Sequence, residues 1–413
     1  MKQIGAWRYE TQMIVVLGFM FGIVFFDRNA MAFLGPFVAR DLKLNSTQVG
    51  MLGSALSFTW ALSGLLVSAL SDATGKRKAI LITAIVIFSL SSMLSGLAAT
   101  FSVLLVSRLL MGLSEGGILP ICQSLLVAES SEKRRGLNMG VMQNVGSNFF
   151  GSFLAPIVLV AIAQAWSWRA GFYVAAAPGL LCALLVMFLI REPQAAPVST
   201  TSQQRGSWLE LLRYRNIWVC IAVSIVMVAW MVLGWVFLPF AYPALRGLGD
   251  TVTSYLMSLL GISAVVFAFI VPGLSDRIGR KPVVIAFNAI GIVVPLAALY
   301  FGGSPWLLGA LVFVGWSASG SFPIFMATIP SETIPPRLLA TAIGVVIGVG
   351  EILGGVSAPT LAGHAADLHG MQWPMYIMAG CAVAGTFFAF FLRETAPVKK
   401  FAIDTIAPVS SRV

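Results

Sequence analysis

The sequence predicts an all-α polytopic membrane protein, in which twelve transmembrane helices form two pseudo-symmetric bundles of six. Three observations lead to this fold. The chain of 413 residues is 58% hydrophobic and only 10% charged, whereas soluble domains carry about 25% charged residues. Its apolar residues gather in runs of about 20, the length that crosses a bilayer as a helix. A motif of the first half also recurs 204 residues later in the second half.

Hydropathy places each helix in turn. Six apolar runs precede a polar segment in the middle of the chain, and six follow it. The twelve runs lie near residues 13–36, 47–70, 79–98, 101–127, 137–163, 172–191, 217–241, 251–274, 283–301, 305–330, 337–362 and 372–393.

The segment 192–215 differs in composition from the short connections between the other runs. It is polar, rich in Pro, Ser and Thr, and flanked by arginines, which is typical of a flexible connection. We therefore expect a linker at 192–215 between an N-terminal bundle (1–191) and a C-terminal bundle (216–413). The apolar residues at its end are expected to lie on the membrane surface.

The net charge of +10 is distributed as expected for membrane topology. If the N-terminus is cytoplasmic, twenty Lys and Arg fall in inside segments and four in outside segments. This is the positive-inside rule, and it predicts cytoplasmic termini in a multi-pass protein of a bacterial inner membrane. The basic charge then serves topology and contact with membrane lipids, and no nucleic-acid partner is expected. The four cysteines lack metal-ligand spacing, so no metal or cofactor is predicted.

The repeat gives the two halves a common register. The segment Ser71–Arg77 is repeated at Ser275–Lys281. Helices five and eleven keep the same offset, so that Gly140, Gly146 and Gly151 correspond to Gly344, Gly350 and Gly355. Parallel six-helix repeats are used by secondary transporters that have a central site between the halves.

Four charges interrupt apolar runs of the first half: Asp27 and Arg28 in helix one, and Arg108 and Glu115 in helix four. A charge near the bilayer centre costs at least ~3 kcal/mol and normally faces a cavity or a partner. Arg108 and Glu115 are two turns apart on one helix face, whereas Asp27 and Arg28 point about 100° apart. This geometry predicts Asp27 toward Arg108, and Arg28 toward Glu115 and the cavity.

These charges predict an anion site with a proton site. A planar guanidinium suits bidentate binding of a carboxylate, so we expect Arg28 to bind the substrate anion. Glu115 is the expected site of the coupling proton, because burial near a substrate carboxylate favours its protonated form. Glu351 in helix eleven is a third candidate proton site, or else a neutral packing residue. The alternative for the first four charges is a static ion-pair lattice between helices one and four.

At these residues the chain resembles the major facilitator superfamily. The signature Asp-Arg-x-Gly-Arg-Arg/Lys of that family is best kept at Asp276–Lys281, whereas the first half has Ala73 where Arg is usual. A narrower likeness is to the organic anion/proton symporter branch, which contains galactonate and hexuronate transporters, sialin and vesicular glutamate transporters. It is carried by the Asp27-Arg28 pair, by Arg108 and Glu115 with the following Gly-Gly-x-x-Pro, and by Trp168–Phe172.

The resemblance implies that helices one and four are neighbours that line the cavity. It also implies a proton role for Asp27, held by Arg108. Trp60 and Glu351 depart from the branch, where a Tyr and an Asn are common at these places.

The repeated loop motif is expected to gate access. The aspartates at helix ends, and the Lys and Arg residues that follow them, can cap helices and form charge pairs between helices. Such contacts stabilise one access state of a transporter. Alternatively, the Lys and Arg residues of the motif only keep these loops on the cytoplasmic side, as the positive-inside rule describes. The residues concerned are Asp72, Gly75, Arg77, Asp276, Arg277, Gly279 and Arg280.

Further polar and aromatic residues are candidates for substrate contact. Gln123 and Asn144, with Asn148 one turn on, could hydrogen-bond a hydroxylated substrate, although polar contacts between helices are an alternative. Trp60 and Trp235 are expected to line the pocket, although interface belts and core packing explain many membrane aromatics. The same two interpretations, pocket lining or packing in the core and at the interface, apply to Trp230, Tyr242 and Trp316.

Together these features predict a proton-coupled importer of a small organic carboxylate, such as a sugar acid or an aromatic acid. It would work by alternating access, and we expect it to be a monomer. An organic anion exchanger or a drug or metabolite exporter of the same fold is the alternative. Helix five argues against an exporter, since Pro156 follows Ala155 and the Gly-Pro pair of antiporters is missing. No nucleotide loop, HExxH or triad spacing supports an enzyme.

Overall fold

The computed structural model describes residues 2–130, 135–192, 208–335 and 338–396. Over these residues all regular secondary structure is helical. Twelve stretches correspond to the predicted spans. They are α1 (Tyr9–Leu42), α2 (Ser46–Ser71), α3 (Arg77–Gly96), α4 (Phe101–Leu126), α5 (Gly146–Ala165), α6 (Trp168–Leu189), α7 (Arg215–Arg246), α8 (Asp250–Ile278), α9 (Arg280–Tyr300), α10 (Pro305–Thr333), α11 (Thr341–His369) and α12 (Gln372–Ala389).

The all-helical membrane fold predicted from the sequence is confirmed. Within the described ranges, α1 to α11 are each long and apolar enough to cross a membrane. The helix α12 is shorter than its apolar run, because Phe390 and Phe391 form turns beyond it. Most of the predicted linker 192–215 lies outside the described residues.

The glycine shared by the two copies of the loop motif follows the end of a helix in both halves. Gly75 follows the last turn of the α2 helix with a φ of 68°, and its N–H donates to the carbonyl of Ser71. Gly279 separates α8 from α9 with a φ of 110°. Because a side chain disfavours positive φ, glycine is suited to both positions. The shared glycine of the repeated motif is therefore explained by backbone conformation.

Three of the charged residues singled out by the sequence lie where the helices are irregular. The first helical segment ends at Arg28 and helix resumes at Ala30. In α4 the helix ends at Glu115 and resumes at Ile118. In α11 a wide π-helical turn begins at Glu351. Irregular backbone at membrane depth is tolerated where it is buried in protein or lines a cavity, and π turns are frequent at functional sites.

The two halves pack through defined helix pairs. In the first half α1 packs on α5, α2 on α4 and α3 on α6, and in the second half α7 packs against α11 and α12. Between the halves α2 packs along α11, and α5 packs against α8. The approach is close, since a Cβ at Gly50 would lie 2.1 Å from the carbonyl oxygen of Pro359. Small residues allow such backbone contact between membrane helices.

The molecule has two ends, which we name by their connections. The linker end carries the start of α1, the end of α6 and the start of α7, and the far end is opposite. At the far end Asp367 of α11 accepts hydrogen bonds from the N–H groups of Ser46 and Thr47, at 2.7 and 2.8 Å. Arg40 of α1 donates to Asp250 of α8 at 3.0 Å. These contacts hold the far ends of the two halves together.

Candidate functional site

A cavity of about 470 Å³ lies between the halves, at the depth where α1, α4 and α11 are irregular. Both halves contribute to its wall, which is mostly apolar. Its described aromatic lining includes Phe21, Phe25, Trp60, Trp235, Trp316 and Phe322. A concave, mainly apolar space with a few polar groups is typical of a small-molecule site.

Arg28 presents a guanidinium to this cavity. Its Nη1 donates to Oε2 of Glu115 at 3.4 Å, and the side chains are 18% and 1% exposed. The guanidinium carbon lies 5.0 Å from the ring centroid of Trp60 and 5.7 Å from that of Phe25. The other donors of Arg28 make no hydrogen bond to any described residue. The aromatic rings therefore hold the guanidinium in place, while several of its donors stay free for a ligand.

The structure differs from the sequence prediction at Asp27 and Arg108. Both are fully buried and interact electrostatically, but no hydrogen bond joins their side chains. Asp27 instead accepts one from the hydroxyl of Ser92. Arg108 donates from Nη2 to the hydroxyl of Ser95 at 2.8 Å. Two serines of α3 thus take the places that a direct ion pair would occupy.

This buried charge group has unused hydrogen-bonding capacity. Oδ2 of Asp27, Nε and Nη1 of Arg108 and Oε1 of Glu115 have no partner within the described ranges. Leaving a buried polar atom unpaired costs about 1–3 kcal/mol, and more for a charged group. Such a cost can be relieved by a proton on a carboxylate or by a rearrangement of the charges. The group is suited to exchanging protons and partners.

Of the predicted contact residues, the cavity is lined by Arg28, Trp60, Asn148, Trp235 and Trp316, whereas Gln123, Trp230 and Tyr242 are not among its lining residues. Gln123 lies outside the cavity wall, in which Leu119 is the last residue of α4. Asn144 belongs to the helical stretch that leads into α5, but its side chain lies outside the described part of the chain. Trp230 is fully buried and donates to the carbonyl of Gly291 at 3.1 Å.

Two polar residues that line the cavity were not predicted from the sequence as contact residues. Asn29 lines the cavity, and its side-chain N–H donates to the carbonyl of Gly151 at 3.0 Å. Ser319 also lines it. Asn29 follows the charged pair directly and Ser319 occupies the repeat position of Glu115, and these two facts are the only sequence signals that point to them.

Glu351 brings a carboxyl group to the cavity from the second half. It interacts electrostatically with Arg28 across the cavity. No donor among the described residues hydrogen-bonds to it. Arg28 therefore contacts a carboxyl group of the first half, that of Glu115, and shares the cavity wall with a carboxyl group of the second half, that of Glu351.

The repeated loop motif forms a polar cluster at the linker end of the second half. Arg280 donates to Glu332 at 2.9 Å and also pairs with Asp276. Arg277 is exposed, so the contact between helices is made by Arg280. In the first half the side chain of Asp72 is not described, and Glu192 accepts hydrogen bonds from the N–H of Lys78 at 3.0 and 3.1 Å.

Glu394 completes this cluster by binding the start of α9. Its carboxylate accepts hydrogen bonds from the N–H groups of Arg280 and Lys281, at 2.8 and 3.2 Å. Burial opposes the charge of Glu394, but hydrogen bonds from these and neighbouring backbone N–H groups outweigh it and lower its pKa.

Two six-helix halves around a central, mainly apolar cavity with a few charged groups define a class of membrane transporter rather than an enzyme. Comparison with known proteins identifies the family. The chain belongs to the Major Facilitator Superfamily, whose model matches residues 17–346 and 231–411.

Similar proteins include transporters of organic acids. The chain is 27% identical to a probable 4-methylmuconolactone transporter of Cupriavidus pinatubonensis, over 92% of this chain and 89% of that protein. It is 28% identical to a gentisate transporter of Corynebacterium glutamicum, over 84% of this chain and 80% of that protein.

Among solved structures, a bacterial homologue of the human lysosomal transporter Spinster has the same fold. This homologue was crystallised in an inward-facing and occupied conformation. The TM-score is 0.77 over 93% of this chain and 96% of that chain. The sequences are 17% identical, so this likeness concerns the fold alone.

Proposed function

We propose that this protein is a proton-coupled symporter that takes up a small organic carboxylate by alternating access. The observation that carries the proposal is Arg28, a cavity-lining guanidinium with free donors that touches the buried carboxyl of Glu115. A fixed cation beside an acid that can bind a proton is the minimum needed to couple an anion to a proton.

Coupling follows from competition for Arg28. An ionised Glu115 holds the guanidinium at 3.4 Å. A proton on Glu115 removes that attraction, so the planar guanidinium becomes available to a substrate carboxylate in a bidentate pair. When the substrate and the proton leave, the pair with Glu115 forms again. Substrate binding and protonation therefore favour each other.

Asp27 supplies a second proton site in this proposal, with Arg108 as its stabilising cation. Both are buried, and each has side-chain atoms without a partner among the described residues. The electrostatic interactions of Asp27 include both Arg108 and Glu115, so a proton on one acid changes the field at the other. Glu351 stays the third predicted proton site. Protons are the coupling ion, and no other cofactor is proposed.

The wall of the cavity favours an aromatic or unsaturated acid over a sugar acid. Apolar and aromatic side chains dominate the wall, and flat apolar substrates gain from burial against them. The names of the gentisate and 4-methylmuconolactone transporters point to acids of this kind. A sugar acid would leave several hydroxyl groups against apolar surface, which is costly.

For orientation, we propose that the linker end faces the cytoplasm of a bacterial cell and that the protein works as a monomer in the inner membrane. Lys and Arg are concentrated in the connections at the linker end, in keeping with the positive-inside rule.

Uptake into proteoliposomes tests the proposal. An inward proton gradient should drive accumulation of a labelled aromatic acid such as gentisate. Glu115→Gln should abolish this accumulation but retain exchange of substrate across the membrane, because the neutral amide mimics the protonated acid. Asp41→Asn, at an exposed carboxylate of the far end, is the matched control and should accumulate substrate normally.

Two results would contradict the proposal. Accumulation driven only by a counter-anion would identify an exchanger, and acid-driven efflux would identify an exporter. Full gradient-driven uptake by Glu115→Gln would remove Glu115 from the coupling step.

A further inference from the structure

The second-half wall of the cavity is apolar except at two places. Apart from the indole groups, its described polar residues are Glu351 of α11 and Ser319 of α10. The hydroxyl of Ser319 is buried without a hydrogen-bond partner in the described part of the chain. Glu351 likewise receives no hydrogen bond from the described residues. Two polar groups with unused capacity thus face a space that is otherwise apolar.

The position of the Glu351 carboxyl is set by its own helix. The π-helical turn Glu351–Val356 brings Gly355 beneath the side chain. A Cβ at Gly355 would lie 2.8 Å from Oε2 of Glu351, which is closer than such atoms approach without a shift. Glycine at 355 therefore provides the room that the carboxyl occupies. Glu351 and Arg28 line the same cavity, so the carboxyl faces the space in which the anion site lies.

We propose that Glu351 and Ser319 form a second binding subsite, which takes a hydroxyl group of the substrate remote from its carboxylate. This inference rests on the proposed function, because Arg28 is taken to hold the carboxylate. A carboxyl group accepts a hydrogen bond from a hydroxyl whether or not it is protonated, and a serine hydroxyl can donate or accept. The subsite therefore does not require Glu351 to couple protons.

The chemistry of the subsite defines the class of substrate. A hydroxylated aromatic monocarboxylate would satisfy Arg28 at one end and Glu351 at the other, with its ring against the aromatic wall. A second carboxylate at the far end of the substrate would meet Glu351 with like charge and be disfavoured. A substrate that lacks the hydroxyl would leave the buried polar groups unpaired, which lowers affinity.

Equilibrium binding to the purified full-length protein tests this inference independently of coupling. Titration calorimetry compares benzoate with 3-hydroxybenzoate and 4-hydroxybenzoate. The wild type should bind at least one hydroxybenzoate about tenfold or more tightly than benzoate, as expected for a hydrogen bond to a charged or buried group. Glu351→Leu should bring this ratio near one while benzoate still binds. Glu351→Gln should keep part of the preference, because its amide carbonyl still accepts.

A glycine pair on α11 supplies a matched control. Gly355→Ala should lower the hydroxyl preference, because the added methyl displaces the Glu351 carboxyl. Gly348→Ala, on the same helix, adds a methyl with no atom within 4 Å and should leave the preference unchanged. Ser319→Ala should lower it by a smaller factor. If Glu351→Leu does not fold, the Gly355 and Ser319 variants decide the question.

The outcomes separate this inference from the proposed function. Wild-type protein that binds none of these carboxylates would contradict the role of Arg28 and the proposed function. Wild-type protein that binds benzoate and hydroxybenzoates equally well would overturn only the subsite. A preference that persists in both Glu351→Leu and Gly355→Ala would also overturn it.

Discussion

The two halves share a fold but differ in what they place at equivalent depths. At the offset of 204, Asp27 and Arg28 correspond to Met231 and Val232, and Glu115 corresponds to Ser319. Arg108 corresponds to Val312, and both positions are buried. The fold can therefore fill this position with an apolar side chain. The charges of the first half are not needed for packing, and this supports a functional role for them.

The serines around these charges differ between the halves as well. Ser92 and Ser95, which hydrogen-bond to Asp27 and Arg108, correspond to Leu296 and Leu299. Apart from Glu115, whose counterpart is Ser319, the members of this polar group are replaced by apolar residues in the second half. We infer that the first half contributes proton chemistry, while the second half contributes most of the wall that selects the substrate.

The largest effect is expected from Arg108→Met, which makes the first half resemble the second at one position. Removing the cation leaves Asp27 without its buried counter-charge, and breaking such a pairing costs about 3–5 kcal/mol. Thermal unfolding in detergent measures the loss. Val312→Met, the equivalent change in the second half, should cost about 1–3 kcal/mol as a packing change. Equal losses at the two positions would contradict the comparison.

A somewhat smaller effect, in this case a loss of affinity for the ligand, is expected from Arg28→Met. Loss of a charge-assisted pair with the substrate carboxylate is worth up to about 3 kcal/mol, which is roughly 100-fold in Kd. Titration with gentisate or a hydroxybenzoate measures it. Arg40→Met, at the far end, should leave affinity within about threefold, since its salt bridge is largely exposed. Affinity of Arg28→Met close to that of the wild type would exclude the anion role of Arg28.

A moderate effect is expected where the halves meet at the far end. Asp367→Asn removes a carboxylate that caps the start of α2 across the interface, and a cap is worth about 0.5–2 kcal/mol. Hydrogen exchange at the first turn of α2 should become faster. Asp250→Asn breaks only the exposed pair with Arg40 and should change exchange less. A larger change for Asp250→Asn would show that this interface depends on ion pairs rather than on the cap.

The smallest effect is expected at the linker end, from Glu394→Gln. Because its folded-state pKa is below the ordinary value, Glu394 stabilises the protein above that value, and the stabilisation is lost as the pH falls through the folded-state pKa. Glu394→Gln should lower stability slightly at neutral pH and flatten its decline toward acidic pH. Thermal unfolding between pH 7 and acidic pH checks this. An unchanged pH profile would show that the capping charge contributes nothing.

Much of the site could be predicted because the residues concerned are adjacent or regularly spaced. The sequence predicts contact between Arg28 and Glu115, and the structure contains it at 3.4 Å. The prediction combined the spacing of Arg108 and Glu115, the different directions of Asp27 and Arg28, and the resemblance that makes helices one and four neighbours. The sequence did not predict the hydrogen bonds that Ser92 makes to Asp27 and Arg108 makes to Ser95. Serines are common in membrane helices as local hydrogen-bonding groups, and nothing in their spacing marks these two.

Other features that the sequence did not predict lie where helices are irregular. Gln123 was a candidate because it is a polar residue of helix four, but it is not among the residues that line the cavity. Helix α4 is interrupted after Glu115, and α11 contains a π-helical turn that begins at Glu351. Such breaks depend on packing against neighbouring helices, so a hydropathy pattern does not reveal them.

The sequence alone determined the class of molecule, the number of apolar runs and the pair of related halves, because hydropathy and repeats are properties of the chain itself. It also identified the charges, because an ionised group in an apolar run is costly and therefore conspicuous. Only the tertiary structure decided which charges share a cavity and which hydrogen bonds replace the expected ion pair. It also decided that Glu351 lies above Gly355, facing the space between the halves. These features depend on distances between helices far apart in sequence, which are set by packing rather than by local pattern.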